Sequence, residues 1–527
     1  MAEVSTGATN LRTIDGSGNN GAFNVASTDF ARITPAHFAD GISAMVAGPN
    51  PRLISNVVVG EGDPTTPDPS GNSGFMYAWG QFIDHDLDLE KAGTTPATVT
   101  GPDGTLIPFS RVSVDPATGA GTNTPATAIN TVTGWLDASM VYGSDPATAA
   151  MLREADGHMK TSAGGNLPII NGQFMGGDVR AAENPDLTAL QVLFVREHNF
   201  QVDQLAHDHK DWTGDQLYNQ ARAIVGAEIA NITYSEFLPH LLGSAAPGAY
   251  HGFDPTVDPR ISEEFMGAAY RFGHSLVSGD ITAIDNNGKE TSVQELRDVF
   301  FEPPAAFAAT GADGLLRNLA SEGSNAMDVR LIDDLRNFLF DPPSVIDLAS
   351  INIQRGHDLG LGTLNQTRTA LGMSAYTDFA QITNDQATVS AMKQAFGDIN
   401  AVDLWTGGLA EQRVGGSMLG QTFTTIVGDQ FERLRDGDRL YYENQGFDAQ
   451  TLAEIKGTSL SDLILRNTDT KALQPDAFRE FSHEDLSLGQ FKQAIADTFG
   501  PQALDSTSTA TLDVDPLHML AQPDHIL

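Results

Sequence analysis

The chain of 527 residues contains no cysteine. That excludes disulfides, thiolate metal sites, iron–sulfur clusters and a cysteine nucleophile, and it leaves any metal to His, carboxylates, carbonyls or hydroxyls. Bases are scarce: 30 Lys and Arg stand against 68 Asp and Glu, giving a formal charge of −38. Such a field repels phosphate backbones and argues against nucleic acid partners; it suits high solubility, calcium binding or a salty medium. No stretch approaches the run of about 18 apolar residues that a membrane helix needs, so no membrane span is expected. The opening MAEVSTGATNLRTIDG lacks a basic region and an apolar core, and so is not a classical signal peptide. The expectation is a secreted or extracellular protein without such a signal, with a cytoplasmic one as the alternative. Strand-like alternation is short and rare, and no internal repeat is evident.

What is present supports an extensive core: the chain is 40% hydrophobic with 27 Phe. Its length fits one large enzyme domain or two or three average ones. Residues 1–75, rich in Gly, Asn, Pro and Ser, read as an extended arm wrapping a core. The patterning predicts helices over 76–90, 185–207, 214–242 and 261–277, and around 292–300, 328–340, 387–396 and 484–498. Pro185 suits the first turn of the second of these. Residues 91–130, rich in Thr, Pro and Gly, read as a long surface loop. The final 25 or so residues are polar and read as a tail. The fold class is mainly α, with long irregular connections.

The run WGQFIDHDLDLE, residues 79–90, holds the densest chemistry. An amide (Gln81), two carboxylates (Asp84 and Asp86) and an imidazole (His85) lie within six residues, among Tyr77, Trp79 and Phe82. This suits an imidazole shuttling protons in an apolar pocket beside a hard cation; a solvated, charged helix end is the competing reading. Of 13 histidines, His274 sits in the small and apolar stretch EEFMGAAYRFGHSLV, where Gly273 lets a flat ligand approach the backbone. A hydrogen-bonded core histidine is the plainer reading. His198 fits a buried polar network, and His207 and His209 a solvated helix end. Without cysteine, a haem takes a His, Met or Tyr axial ligand. One His can then bind the iron while another takes a proton from peroxide and returns it to the leaving oxygen. A cation near the O–O bond stabilises the developing charge. Arg180, in a Gly-rich turn, is a candidate, with simple pairing to Asp178 as the alternative.

WGQFIDHD, DASMVYGSD, GDVRAAENPDL with VREHN, YRFGHSL and INIQRG, in that order, resemble the animal-type haem peroxidases of the peroxidase–cyclooxygenase superfamily. TIDGSGNN (13–20) and FERLRDGDRLYYEN (431–444) add to the match. The resemblance spans about residues 10–470, and the lack of cysteine looks like a bacterial member. It implies a single large haem peroxidase domain, a helical core around the haem at 76–470 with long irregular loops, followed by a C-terminal helix and polar tail at 471–527. His85 then looks like the distal catalytic base, Gln81 the amide orienting water or halide, and Arg180 the distal cation. His274 resembles the iron ligand and Asn352 its hydrogen-bonding partner. Arg271 and Arg355 match positions that pair with haem propionates. Asp84 and Glu183 match the carboxylates that ester-link haem b. Around calcium, Thr133, Trp135, Asp137 and Ser139 join Asp86; a self-bonded turn is what the spacing alone favours.

The resemblance implies reduction of hydrogen peroxide and oxidation of small anions or phenolic donors. Asn184 stands where chlorinating members carry a sulfonium-forming methionine, so iodide, thiocyanate and at the limit bromide are expected rather than chloride. The usual RGRDHG reads RGHDLG at 355–360, with His357 and Leu359. Two alternatives stand. A fatty-acid dioxygenase would use a tyrosine three residues before the iron ligand, but Arg271 is there and Tyr270 lies four before. A calcium-dependent adhesion module on a dead peroxidase scaffold is the other; all six expected catalytic positions are filled here, which argues against a dead scaffold and leaves an adhesive role in addition open.

Overall fold

The computed structural model describes residues 10–60, 66–338 and 346–504. The expected polar tail lies outside them, as do the last two residues of the stretch 328–340. Among the described residues, one large apolar cluster gathers side chains from Phe30 to Phe478, and Ala472, Phe491 and Ile495 form a small separate one. The described strands form five two-stranded antiparallel ribbons. The fold is mainly α.

Three helices carry the core. Helix α1, Phe75–Leu87, buries eleven of its 13 residues. A helix buried over most of its circumference is an interior helix. Gln81 and Asp84, three residues apart, are its only half-buried side chains, so its one open stripe is polar. Helix α2, Pro185–Asp208, starts as its sequence demands: the Asn184 side chain accepts from Leu187 N at 2.9 Å, and Pro185 takes the first turn. Helix α3, Gly214–Ile232, opens on a Thr213–Gln216 capping box. Helix α2 packs on α1, on α3 and on α4, Ala312–Ser321. Where α1 meets α2, Phe82 stacks on Phe194 with ring centroids 5.1 Å apart.

Several expectations need correction. The stretch 261–277 is not one helix. A short helix, Glu263–Gly267, breaks at Ala268 (φ −145°, ψ −63°), and a 3-10 segment, Ala269–Ser275, follows. The stretch around 292–300 is a strand, Glu290–Glu295, and a 3-10 turn; Val293 pairs with Thr282 in a ribbon with the strand Asp280–Ile284. Only one turn, Asp333–Arg336, is helical in the described part of 328–340. Residues 91–130 are more than a surface loop: they form two ribbons and bury Val99, Ile107, Ala126 and Ala128. The patterning also passed over α5, Leu348–Asp358, and α6, Gln421–Asp436.

Residues 10–50 have little regular structure but are tied across the molecule. Arg12 pairs with Asp438, Trp135 Nε1 donates to the Gly16 carbonyl at 3.1 Å, and Ala31 N donates to Ile261 O at 2.8 Å. Arg52 reaches Asp347, the N-cap of α5, at 2.7 Å.

Candidate active site

The open stripe of α1 faces the Gly-rich turn before α2. His85 is buried, and its Nε2 lies 3.6 Å from Glu183 Oε2. Its Nδ1 has no hydrogen-bond partner and sits 3.9 Å from Asp178 Oδ1. Burial, reinforced by the Arg180 charge, pulls the imidazole down to about 3. It is neutral at ordinary pH and able to accept a proton.

Arg180 pairs with Asp178, the plainer of its two readings. Its Nε donates to Asp178 Oδ1 at 2.9 Å and its Nη2 to Asp178 Oδ2 at 3.1 Å. Nη2 also donates to the Asp88 carbonyl at 2.7 Å, while Nη1 reaches Asp84 Oδ2 at 3.5 Å. Asp178 is therefore the clamp that aims the guanidinium. Gln81 joins the two helices: its Nε2 donates to Glu183 Oε2 at 3.1 Å, and its Oε1 accepts from Asn184 Nδ2 at 2.9 Å. Asn184 thus caps α2 with its oxygen and holds Gln81 with its nitrogen. Burial raises Asp84 to about 6 and Glu183 to about 7.

The second group comes from the 3-10 segment and α5. His274 Nδ1 lies 2.9 Å from Asn352 Nδ2, and Asn352 Oδ1 accepts from Arg271 Nη1 at 3.0 Å. Burial, with Arg271 adding to it, pulls His274 to about 3. A Cβ placed on Gly273 would meet no atom within 4 Å, so the backbone beside His274 faces open space. The two groups lie near one another: the charges of both Arg180 and Arg271 act on the Asp84 carboxyl. Glu90 lies 3.5 Å from Arg271 and 3.2 Å from Arg355, and Arg355 also holds Asp358 at 2.9 Å. Burial alone would raise Glu90; the two arginines outweigh it and hold it below its usual range.

Directly after His85, Asp86 crosses to the segment 133–139. Its Oδ2 accepts from Asp137 N and Ala138 N at 3.0 Å each, and its Oδ1 from Ser139 Oγ at 2.9 Å. Thr133 Oγ1 donates to Asp137 Oδ1 at 2.9 Å, while Asp137 Oδ2 is buried without a partner. Ala138 takes φ +65°, a left-handed conformation that costs a non-glycine residue energy. Two adjacent buried carboxylates repel: burial, then Asp137, pushes Asp86 to about 7. Among the described residues no three His, Asp or Glu side chains cluster as a metal site. The set here is two buried carboxylates with the Thr133 and Ser139 hydroxyls hydrogen-bonded to them and one Asp137 oxygen left without a partner; carboxylate and hydroxyl oxygens are the donor types that suit a hard cation.

Of the other histidines, His198 is buried between Tyr142 Oη (2.9 Å) and the Gly157 carbonyl (3.0 Å), a polar network as expected. His207 is exposed, but His209 is not simply solvated; it stacks on Trp212 at 3.8 Å. His357 lines a cavity of about 220 Å³ together with Asp403 and Trp405, and Asn352, the partner of His274, is in the same lining. The sequence reading assigned no role to Glu90 or Asp88, although both lie in the run 79–90. Nothing in a strip of alternating acids says which one turns back toward the arginines.

The residues fit a flat, dianionic iron ligand: an imidazole beside open backbone, two arginines around a carboxylate, and a neutral imidazole with an arginine nearby. The comparisons agree. The family model described as animal haem peroxidase matches residues 11–478. The human peroxidasin homolog is 33% identical over 90% of this chain. The chain spans 38% of that relative's length, and 42% of the peroxidasin homolog pxn-2 of Caenorhabditis elegans. The structure of peroxidase A from Dictyostelium discoideum is 27% identical, covers 90% of this chain and all of its own, and superposes with a TM-score of 0.82.

Proposed function

The chain belongs to the animal haem peroxidase family, and from that premise we propose that it binds haem b, consumes hydrogen peroxide and oxidises iodide, thiocyanate and, at the limit, bromide or phenolic donors. The observation that carries this reading is a pair of imidazoles on separate elements: the buried His85, whose Nδ1 has no hydrogen-bond partner, and the half-buried His274, paired with Asn352 beside open backbone. When bound, the haem supplies the redox chemistry. The chain's own residues do the rest. His274 holds the iron, and Asn352 fixes its ring orientation. Arg271 and Arg355 meet the propionates, with Glu90 yielding to them. His85 takes a proton from peroxide and returns it to the departing oxygen. Arg180, aimed by Asp178, offsets the charge that develops there. Gln81 orients the water or the donor anion.

Asp84 and Glu183 are the ester-forming carboxyls, and their raised pKa keeps part of each protonated near neutrality. Acid–acetone extraction after peroxide treatment should leave the haem on the protein; complete release refutes the links. Asp86, Thr133, Trp135, Asp137 and Ser139 hold calcium, which relieves the two facing carboxylates. Asn184 cannot form a sulfonium, so fast chlorination of a probe at neutral pH counts against this reading.

Tyr270, the residue a dioxygenase would need nearby, stacks on Phe265 at 4.4 Å with its hydroxyl buried and unpartnered. That disfavours radical delivery from it; oxygen uptake with linoleate would reverse the conclusion. The decisive measurement is steady-state kinetics against iodide, bromide, thiocyanate and a phenol, after a pyridine haemochrome spectrum. Protein that binds no haem when it is supplied overturns the whole reading.

A further inference from the structure

Tyr77 lies on α1 one turn before Gln81, so their Cβ atoms stand about 5–6 Å apart. It is about 12 Å along the axis from His85. Its hydroxyl sits between two acids: 2.7 Å from Glu322 Oε1 and 3.0 Å from Asp186 Oδ2. A phenol has one proton to donate. It can serve only one of these oxygens, so the other acid must carry a proton and donate it to the phenol oxygen.

The helix ends say which acid is which. Asp186 is in the first turn of α2, where the dipole favours a carboxylate. Glu322 is the C-cap of α4, at the negative end, where the neutral acid is favoured. Burial raises both, Asp186 to about 7 and Glu322 to about 8. Asn318 Nδ2 holds the far oxygen of Glu322 at 2.8 Å, and Gly74 leaves room for its carboxyl, which a Cβ there would meet at 2.6 Å. The order is Glu322–OH to Tyr77, and Tyr77–OH to Asp186.

We propose that Tyr77 is a redox-active residue that gives one electron to the peroxide-oxidised haem while its phenolic proton passes to Asp186. The inference rests on the peroxidase reading above. The Tyr77 O–H bond breaks and an Asp186 O–H bond forms. The haem gains one electron, and a neutral phenoxyl radical remains, its oxygen still accepting from Glu322. A donor electron and the same proton restore the phenol. The transfer needs no charge to move through the apolar core, because the base is already in contact. Of the other phenols, Tyr376 shares Glu411 Oε1 with Arg368 and Thr422, which already occupy it, while Tyr142 has a base of a different kind, His198 Nδ1 at 2.9 Å, and is the competitor that the test must separate.

The test is freeze-quenched electron paramagnetic resonance on holoprotein mixed with peroxide, after its haem spectrum and peroxide consumption are recorded. The expected signal is a tyrosyl radical that narrows with ring-deuterated tyrosine. It should vanish in Tyr77→Phe and fall several-fold in Asp186→Asn, which keeps the phenol and guards against a misfolded first variant. A holoprotein that consumes peroxide without a tyrosyl signal overturns the inference alone. So does a signal that survives Tyr77→Phe and is lost in Tyr142→Phe, the phenol paired with His198. Protein without haem overturns this inference and the peroxidase reading together.

Discussion

At the residue scale, the site depends on groups whose protonation is set by burial. His85→Gln should keep haem binding and lose about 10²- to 10⁴-fold in the rate of peroxide consumption, the usual worth of a positioned acid–base group. Loss of the haem spectrum in that variant would place His85 on the iron instead. His198 makes a separate prediction about pH. Its folded pKa is depressed to about 3 by burial, while an unfolded histidine titrates near 6.5. Protons therefore favour the unfolded state: the site's stability is complete above 6.5 and is lost as pH falls from there toward 3. At pH 5 this one residue should cost about 2 kcal/mol relative to pH 7. Denaturant unfolding of His198→Gln across that range should show a shallower acid limb, and an identical limb would contradict it. His85, Gln81 and Asp84 were legible in sequence because they share one short run. Asp178 was legible only as a local partner for Arg180, since its role in aiming that side chain depends on where Asp84 and Asp88 stand.

At the scale of the element, α1 and α2 act as one unit through Asn184, which caps α2 and grips Gln81. Asn184→Ala should cost about 1 kcal/mol from the cap alone, and it should also raise KM for iodide by freeing the amide of Gln81. Calorimetry and donor kinetics report the two effects separately; an unchanged KM would show that the Gln81 contact does nothing for the donor. Long helices with clean ends, such as Pro185–Asp208, could be read from apolar spacing and caps. The 261–277 stretch was misread because a helix-like composition says nothing about packing at its midpoint. A Cβ on Gly267 would come within 2.5 Å of Leu359, and there the chain turns into the 3-10 segment that presents His274. The strand Glu290–Glu295 was misread for a related reason: its partner ribbon, not its own composition, holds it extended.

For the whole molecule, the proposed cation site and the surface charge matter most. Asp86 follows His85 on α1 and bonds the segment 133–139, so chelation should loosen the catalytic pocket as well as lower the melting temperature. An unchanged haem spectrum and activity after verified removal of calcium would break that link. A net charge of −38 repels itself at low salt, so the melting temperature should rise as ionic strength increases toward physiological values. The sequence by itself determined the kinds of chemistry open to this protein: no thiols, histidines and carboxylates in a few dense runs, and apolar spacing that makes most of it helical. Those are properties of composition and neighbours along the chain. Only the tertiary structure decided that Glu90 stands between Arg271 and Arg355, that Asp178 steers Arg180, and that Tyr77 lies between two acids from different helices. Hydrogen bonds and pKa shifts of that kind depend on which distant residues are brought within about 3 Å after burial removes water, and no local pattern encodes that distance.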